Sequence, residues 1–238
     1  MNAGAAWTSL PLQPGVSLVV DRDMPCLPTD LEGAVAAVWA DERRRRPALF
    51  NGRVFCADRI APDLIGGHWT EYRRVLAQMR HPALFGTQPI RALAVNGLLE
   101  CADGLVLGRR QADAVYLPGC WQAAPAGAVE ARKGDELDLA GQLLAELDEE
   151  LGLLASDIVA LRPVVAIEHA GTRIVDVGFQ MRTTLSFRDI GTRHSSRGNG
   201  EYQDLQVVAL PELDRFLRDA GPTLLPSARI LMEYRSAA

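Results

Sequence analysis

The sequence has few aromatic residues, no long apolar run and no excess of positive charge. Only 6% of its 238 residues are aromatic, and no stretch approaches the roughly 18 consecutive apolar residues of a membrane-spanning helix. Its formal net charge of −5 provides no large cationic field, so neither nucleic acid nor a membrane is expected as a partner. A hydrophobic share of 48% is nevertheless high enough for a folded core.

The sequence also lacks the cysteine and histidine patterns of a zinc site. Its cysteines are widely separated, with no CxxC pair, and the four histidines show no short ligand spacing, so zinc is not expected. Two disulfides are an alternative, but we interpret the cysteines as small, reduced, apolar residues. Residues 1–15 contain no Lys or Arg and no compact apolar run, so they do not resemble a secretory signal, and we expect a cytoplasmic protein. The cysteines are Cys26, Cys56, Cys101 and Cys120.

The strongest interruption of the chain lies at residues 82–89, which contain two prolines and a glycine. We therefore predict a small α+β module over residues 1–88 and a larger domain over residues 89–238. In the first part we expect a strand at 16–20 and a helix through 33–40, capped by Thr29 or Asp30. Asn51-Gly52 predicts the turn of a hairpin, and a second helix is expected from Thr70 through Met79.

The second part alternates strands and helices without a regular βα repeat, which favours an α+β fold or an α/β/α sandwich. Strands are expected at 92–99, 105–110, 164–168, 174–181 and 206–210, and helices at 138–151, 211–220 and 227–235.

Three carboxylates are clustered on one side of the helix predicted at 138–151. Glu146, Glu149 and Glu150 share an arc beside an apolar stripe, and no Lys or Arg within the helix offsets their repulsion. A hard cation such as Mg²⁺ would make this clustering favourable, because it prefers carboxylate oxygens and is commonly shared with substrate phosphates. An ordinary acidic surface is the alternative. The expected buried stripe consists of Leu139, Ala140, Leu143, Leu147 and Leu151.

Residues 145–153, AELDEELGL, resemble the core of the Nudix hydrolase box, G-x5-E-x7-R-E-U-x-E-E-x-G-U, where U is aliphatic. Upstream segments at 104–110, 119–122 and 125–130 follow in the order typical of that family, so the resemblance covers about residues 90–220. Three features depart from it: Ala145 replaces the arginine, Leu137 lies at the position of the middle glutamate, and four extra residues separate Gly127 from Glu146. We place those extra residues around 131–134. In that family the arginine helps to hold the carboxylates in place, so its loss implies either a weakened metal geometry or replacement by another cation.

The resemblance implies a Nudix-type α/β/α sandwich with a mixed sheet. The irregular box, together with residues 49–55 and 66–72 of the N-terminal module, is also similar, more loosely, to the UDP-glucose/UDP-galactose pyrophosphatases of animals. This similarity implies Mg²⁺-dependent hydrolysis, with Mn²⁺ as an alternative ion, of a nucleoside diphosphate linked to another group. A UDP-sugar would yield a nucleoside monophosphate and a sugar 1-phosphate. Many Nudix proteins dimerise, so a homodimer remains an open alternative.

The resemblance assigns metal binding to Glu146, Glu149 and Glu150, with Glu149 also catalytic. Nudix enzymes often take a general base from a loop after the box, and residues 192–200 are expected to form such a polar, mobile loop. Glu201 is therefore the candidate base or additional ligand, with Asp204 second. A solvated strand end is the alternative for both.

Arg109 and Arg110 end a strand near the pocket implied by the resemblance, so they are candidate substrate-binding residues, unless they are only a charged strand end. Arg193, His194 and Arg197 are further candidates for contact with phosphate or sugar. The second hypothesis for the chain is a catalytically weakened Nudix-like nucleotide-binding or regulatory module. Ala145 and the lengthened loop favour that hypothesis, whereas the three glutamates oppose it.

Overall fold

A computed structural model describes residues 6–132, 134 and 136–236. The first five residues of the predicted N-terminal module and Lys133 of the predicted insertion lie outside this part of the chain. The strands are β1 (Trp7–Pro11), β2 (Ser17–Val20), β3 (Arg53–Ala61), β4 (Leu64–Glu71), β5 (Leu93–Cys101), β6 (Gly104–Arg110), β7 (Trp121–Ala123), β8 (Ala126–Ala128), β9 (Ile158–His169), β10 (Val175–Thr183) and β11 (Tyr202–Val208). The helices are α1 (Thr29–Arg45), α2 (Tyr72–Arg80), α3 (Leu139–Leu151), α4 (Phe187–Arg197), α5 (Leu213–Asp219) and α6 (Pro226–Ser236).

The larger sheet is mixed. Its strands follow the order β1-β9-β10-β5-β6-β11, with β8 paired to β5 and β7 paired to β6. The pairing of β10 with β5 is parallel, whereas β9, β6 and β11 pair with their neighbours in antiparallel fashion. The apolar residues of the central strands alternate between the two faces: Val95 and Val177 face one hydrophobic cluster, and Leu98 belongs to the other.

Helices cover both faces of this sheet. The apolar side of α3, including Leu143 and Leu147, packs in the cluster that contains Val95 and Val177. On the other face, Leu231 and Met232 of α6 pack in the cluster that contains Leu98. The predicted α/β/α sandwich with a mixed sheet is therefore confirmed.

The N-terminal part contains a three-stranded sheet in the order β2-β4-β3, accompanied by α1 and α2. Two features link this part to the remainder of the chain. Strand β1 pairs with β9 in the larger sheet, and Phe55, Ile65 and Trp69 lie in the same hydrophobic cluster as Val95. The boundary between residues 88 and 89 stays a prediction.

The hairpin predicted at Asn51-Gly52 is wrong, because the turn joining β3 and β4 is at Pro62-Asp63. Asn51 instead accepts a hydrogen bond from the backbone N–H of Arg73 (2.9 Å) and donates to Glu71 (3.1 Å). It thus binds the beginning of α2 from a distant loop. The second helix begins at Tyr72 rather than Thr70, and its predicted first residues belong to β4.

The mobile loop predicted at 192–200 is also wrong in large part, because α4 continues through Arg197. Ser186 and Asp189 form a capping box at its start, and Ile190 is buried beneath it. These signals outweigh the weak helix propensity of the following Gly, Thr and Ser residues. The remaining predicted strands and helices occur, with shifted ends. All four cysteines are free, and no helix within the described residues is long and apolar enough to cross a membrane.

Candidate active site

A pocket of about 350 Å³ lies where the central strands of the larger sheet separate. Strands β5 and β6 pair only beside their shared turn, at Glu100–Leu105 and Cys101–Gly104. Beyond that turn each takes its own short partner, β8 for β5 and β7 for β6. Residues from all four strands line the pocket, and α3 supplies Glu146, Glu149 and Glu150 to its wall.

Local sequence explains how α3 presents these carboxylates. The side chain of Asp138 caps its first turn by accepting the backbone N–H of Gly141 (2.8 Å), and Gly152 ends it in the left-handed conformation, at φ 67°. The predicted stripe is buried except for Ala140, which is partly exposed. Gln142 and Glu150 are buried as well. The buried face of the helix is therefore wider than the predicted apolar stripe, and it includes two polar side chains.

Glu150 is the most enclosed of the three carboxylates, with only 2% of its surface exposed. Its Oε2 accepts hydrogen bonds from the backbone N–H of Ala126 (2.9 Å) and the hydroxyl of Tyr202 (2.8 Å). Burial raises its pKa well above the ordinary value, and the neighbouring Glu146 and Glu201 charges add to this rise. Two donors therefore hold the Glu150 carboxyl group in place, but the charges around it do not offset the cost of burying its ionised form.

Glu146 lies against the backbone of β8. A Cβ built at Gly127 would lie 2.3 Å from the Cδ of Glu146, so only glycine permits this approach. Gln142 donates to its Oε1 at 2.6 Å. Burial raises the pKa of Glu146 to about 7, with a further rise from the charge of Glu149.

Arg132 brings a positive charge to two of the three carboxylates of α3. Its guanidinium lies 3.2 Å from a carboxylate oxygen of Glu149 and 3.5 Å from one of Glu146, and its Nε donates to Gln142 (3.1 Å). Glu149 is half exposed, so its pair with Arg132 is partly screened by water. The loop after β8 thus supplies a cation to carboxylates of a helix that has no Lys or Arg of its own.

A hydrogen-bonded chain connects Arg110 to Glu150. Arg110 donates to Gln122 (2.9 Å), Gln122 donates to the Tyr202 hydroxyl (3.0 Å), and that hydroxyl donates to Glu150. A further guanidinium nitrogen of Arg110 lies 3.4 Å from Glu201. These three hydrogen bonds fix the positions of the Arg110 guanidinium and the Glu150 carboxyl group, which both line the pocket.

Of the other four predicted site residues, two line the pocket and two lie outside its lining. Arg110 and Glu201 line the pocket, whereas Arg109 is exposed, binds the Gly119 carbonyl (3.3 Å) and is not part of the lining. Adjacent strand residues point to opposite faces, which separates the two arginines. Asp204 also lies outside the lining.

The basic residues of α4 serve that helix and its neighbours. Arg193 pairs with Asp157 (2.5 Å) and Arg197 pairs with Asp148 (2.8 Å). The Nδ1 of His194 lies 2.8 Å from the carbonyl oxygen of Glu150. These contacts attach α4 to the carboxylate helix and occupy the groups that sequence analysis associated with phosphate.

Asp176 and Asn96 also line the pocket. Asp176 is buried and hydrogen bonds Ser227, and burial raises its pKa to about 6 although the nearby positive charge of Arg110 lowers it. The side-chain oxygen of Asn96 is buried without a hydrogen-bond partner among the described residues. Val54 and Tyr72 of the N-terminal part add an apolar side to the same pocket.

Sequence reasoning missed Arg132, Gln122 and Tyr202. Arg132 lies in the segment where extra residues were expected, and a search there for a replacement cation would have found it. Gln122 and Tyr202 carry no comparable signal, because Tyr202 reaches Glu150, and Gln122 reaches Tyr202, only through the pairing of separate strands.

The donors around the pocket are suited to a hard divalent cation. Glu146, Glu149 and Glu150 all face it, and Glu130 and Glu201 lie on its rim, so oxygen ligands predominate. The raised pKa values of Glu146 and Glu150 result from burial, and a bound cation would favour the ionised forms.

No family model matches the chain, and no curated protein gives a significant match. Solved structures do resemble it. Protein DR0079 from Deinococcus radiodurans is 17% identical, with a TM-score of 0.47, over 76% of this chain and 97% of that chain. A MutT protein from Methanosarcina mazei Go1 is 19% identical, with a TM-score of 0.42, over 63% and 96%.

A Nudix hydrolase from Nitrosomonas europaea is 15% identical, with a TM-score of 0.42, and the match covers 63% of this chain and 90% of that chain. At such low identity and partial overlap, conclusions about chemistry rest on this chain's own residues.

Proposed function

We propose that the chain hydrolyses the diphosphate bond of a nucleoside diphosphate linked to another group. One observation carries this proposal: three carboxylates of one helix and the fixed guanidinium of Arg110 face the same pocket. Phosphoryl chemistry needs charge neutralisation and positioning more than a covalent protein nucleophile.

The protein's own cations would position the diphosphate. Arg110 donates hydrogen bonds to Gln122 and to the Tyr116 carbonyl (2.9 Å), which hold its side chain in place. Binding of a phosphate by Arg110 would therefore cost little additional side-chain entropy. The Arg132 side chain is 40% exposed, so water screens its ion pair with Glu149 and a phosphate oxygen could compete for the guanidinium.

Glu146, Glu149 and Glu150 would hold Mg²⁺, or Mn²⁺, whose bound charge neutralises phosphate oxygens and lowers the pKa of a coordinated water. Tyr202 and the Ala126 backbone orient Glu150 for this role by occupying one of its oxygens. Gly127 allows Glu146 to approach the same region.

Glu201 is the proposed general base, and Glu149 is the other proposed catalytic carboxylate. Arg110 lies 3.4 Å from Glu201 and orients it toward the pocket. In the reaction the water oxygen bonds to phosphorus, the bridging P–O bond breaks, and the water proton passes to the carboxylate. The products are two phosphomonoesters.

The proposed substrate is a UDP-sugar resembling UDP-glucose. The hydroxyl groups of a sugar would find hydrogen-bond acceptors in the pocket, at Asp176 and at the side-chain oxygen of Asn96, which has no partner among the described residues. The apolar side formed by Val54 and Tyr72 suggests that the N-terminal part contributes to substrate selection.

A substrate panel tests this function. The full chain is incubated with Mg²⁺ and UDP-glucose, ADP-ribose, NADH or coenzyme A, and the released phosphomonoester is measured. We expect turnover that requires Mg²⁺ and is fastest with UDP-glucose. If another panel member were turned over faster, the proposed hydrolase activity would stand and the proposed UDP-sugar substrate would be refuted.

The alternative is a nucleotide-binding or regulatory module with weakened catalysis. It is favoured by Ala145 and by the ion pairs through which Arg132 occupies Glu146 and Glu149. Nucleotide binding measured by calorimetry, without turnover of any panel member, would establish it and overturn the hydrolase.

A further inference from the structure

A second cluster of chemically reactive side chains lies in the N-terminal sheet, outside the pocket just described. The sulfur of Cys56, a carboxylate oxygen of Asp58 and a ring nitrogen of His68 all lie within 4.8 Å of one another. All three line a separate cavity of about 550 Å³. Nothing in the proposed hydrolysis uses them.

The two strands of the small sheet build this cluster. Cys56 of β3 is directly opposite His68 of β4, so their side chains project from the same face. The register then shifts between Ala57 and Arg59, leaving Asp58 as the extra residue of a bulge. A bulge re-aims its side chain, and here it brings Asp58 to the face of Cys56 and His68.

Gly67 makes the bulge possible. A Cβ at this position would lie 2.0 Å from the carbonyl oxygen of Cys56 and 3.0 Å from the backbone N of Asp58. Only glycine therefore allows β4 to approach the bulged segment. The backbone conformations of both strands, the bulge at Asp58 in β3 and the close approach at Gly67 in β4, therefore bring the three side chains together.

We propose that Cys56, Asp58 and His68 form a binding site for a thiophilic divalent cation of the zinc class. Sulfur, imidazole nitrogen and carboxylate oxygen are the donors that zinc accepts in proteins. Three protein donors leave one position of a tetrahedral ion open toward the 550 Å³ cavity. Linear spacing does not reveal the set, because its members meet across two strands and a bulge.

Metal binding needs only small side-chain movements. Bonds of about 2.0–2.3 Å to a tetrahedral ion separate its donors by about 3.5 Å. The three donor atoms lie within 4.8 Å of one another, so the most distant pair approaches by at most about 1.3 Å, which side-chain rotation can supply. His68 and Asp58, now hydrogen bonded at 2.8 Å, move apart by about 0.7 Å.

Arg22 is the competing cation. It donates to both oxygens of Asp58, each at 2.9 Å, and its side chain is 48% exposed. Arg74, Arg91 and Arg173 also line the cavity, but each lies near a carboxylate: Arg74 near Glu32, and both Arg91 and Arg173 near Glu168. A metal held by one thiolate and one carboxylate carries no net charge, so these arginines do not prevent binding.

Cobalt(II) titration of the full chain tests the proposal. The metal-free protein is titrated with Co²⁺ in excess Mg²⁺, which occupies hard oxygen sites. We expect a sulfur-to-cobalt charge-transfer band and tetrahedral ligand-field bands that saturate at one equivalent and disappear when Zn²⁺ is added.

Variants assign the ligands. Cys56→Ser should abolish the charge-transfer band, His68→Asn should weaken binding at least roughly ten-fold, and Cys120→Ser, a cysteine outside the cluster, should leave the titration unchanged. Arg22→Gln should tighten binding about two- to five-fold, because it removes the cation that competes for Asp58. Absence of the band, or its persistence in Cys56→Ser, would overturn the proposal.

A measurement on the wild-type chain covers the case in which serine at the buried Cys56 prevents folding. X-ray absorption of the zinc-loaded protein should show one sulfur and otherwise nitrogen and oxygen donors. A shell made only of oxygen and nitrogen would exclude Cys56 as a ligand and overturn the proposal. Neither readout depends on hydrolase activity.

Discussion

At the scale of single residues, Glu150 combines near-complete burial with only two fixed donors. The change Glu150→Gln removes one negative charge and keeps the side-chain shape and a similar helix propensity. We expect turnover to fall at least about 100-fold, with little change in circular dichroism or melting temperature. An unchanged rate would refute its assignment as a metal ligand. Glu212→Gln, at an exposed ion pair with Arg215, is the matched control and should retain full activity.

Asp176 predicts a pH-dependent stability. Burial raises its folded-state pKa from 3.8 to about 6, so between these pH values the folded protein binds a proton that the unfolded chain has released. Stability from this group is therefore present below about pH 4 and is lost as the pH rises to 6, a change of about 3 kcal/mol. In Asp176→Asn this decline should be absent.

Urea unfolding of both proteins between pH 4 and 7 measures the effect of Asp176. The difference between them isolates this residue, since other carboxyl groups such as Glu146 titrate in both. A difference in unfolding free energy that stays constant with pH would show that Asp176 titrates near its ordinary value.

At the scale of elements, α3 and Arg132 form an electrostatic unit. Arg132 offsets the repulsion between Glu146 and Glu149, and a divalent cation would do the same. In Arg132→Ala we expect the metal-free melting temperature to fall by about 1–3 °C and most of this loss to be recovered in Mg²⁺.

Calorimetry with and without Mg²⁺ measures the recovery. Arg215→Ala removes an exposed pair elsewhere, so its effect should be the same in both conditions. Equal losses with and without Mg²⁺ in Arg132→Ala would mean that the guanidinium and the metal do not act on the same carboxylates.

The sequence predicted those elements whose signals are local. Helix α3 begins one residue after the capping Asp138 and ends at Gly152, because cap, leucine periodicity and terminating glycine agree. The prediction of a hairpin turn at Asn51-Gly52 is wrong, because the Asn51 side chain hydrogen bonds Glu71 and Arg73 at the beginning of α2. No local sequence pattern encodes that contact. The carboxylate face could be predicted from spacing, whereas Tyr202 and Arg132 depend on strand register and loop path.

At the scale of the whole molecule, one core connects the two parts of the chain. Phe55 and Trp69 pack with Val95 and Leu143, and Val54 and Tyr72 help to form the active-site pocket. We expect a single cooperative unfolding transition. Circular dichroism reports all helices, whereas fluorescence reports four tryptophans, with Trp39 and Trp69 in the N-terminal helix and sheet and Trp7 and Trp121 in the larger sheet. The two curves in urea should coincide.

Two separated transitions would show that the parts unfold independently. As a second check, a chain reduced to residues 89–238 should not give the melting transition of the full protein, because it lacks Phe55 and Trp69 from the shared cluster and β1 from the sheet.

The pairing of β1 with β9 has a consequence for the order of events during synthesis. Trp7 is paired with His169, so the first strand leaves the ribosome long before its partner exists. Closing so long a loop is slow compared with local contacts. Strand β1 must wait, with its backbone hydrogen bonds made to water, until β9 has emerged, and only then can it join the larger sheet.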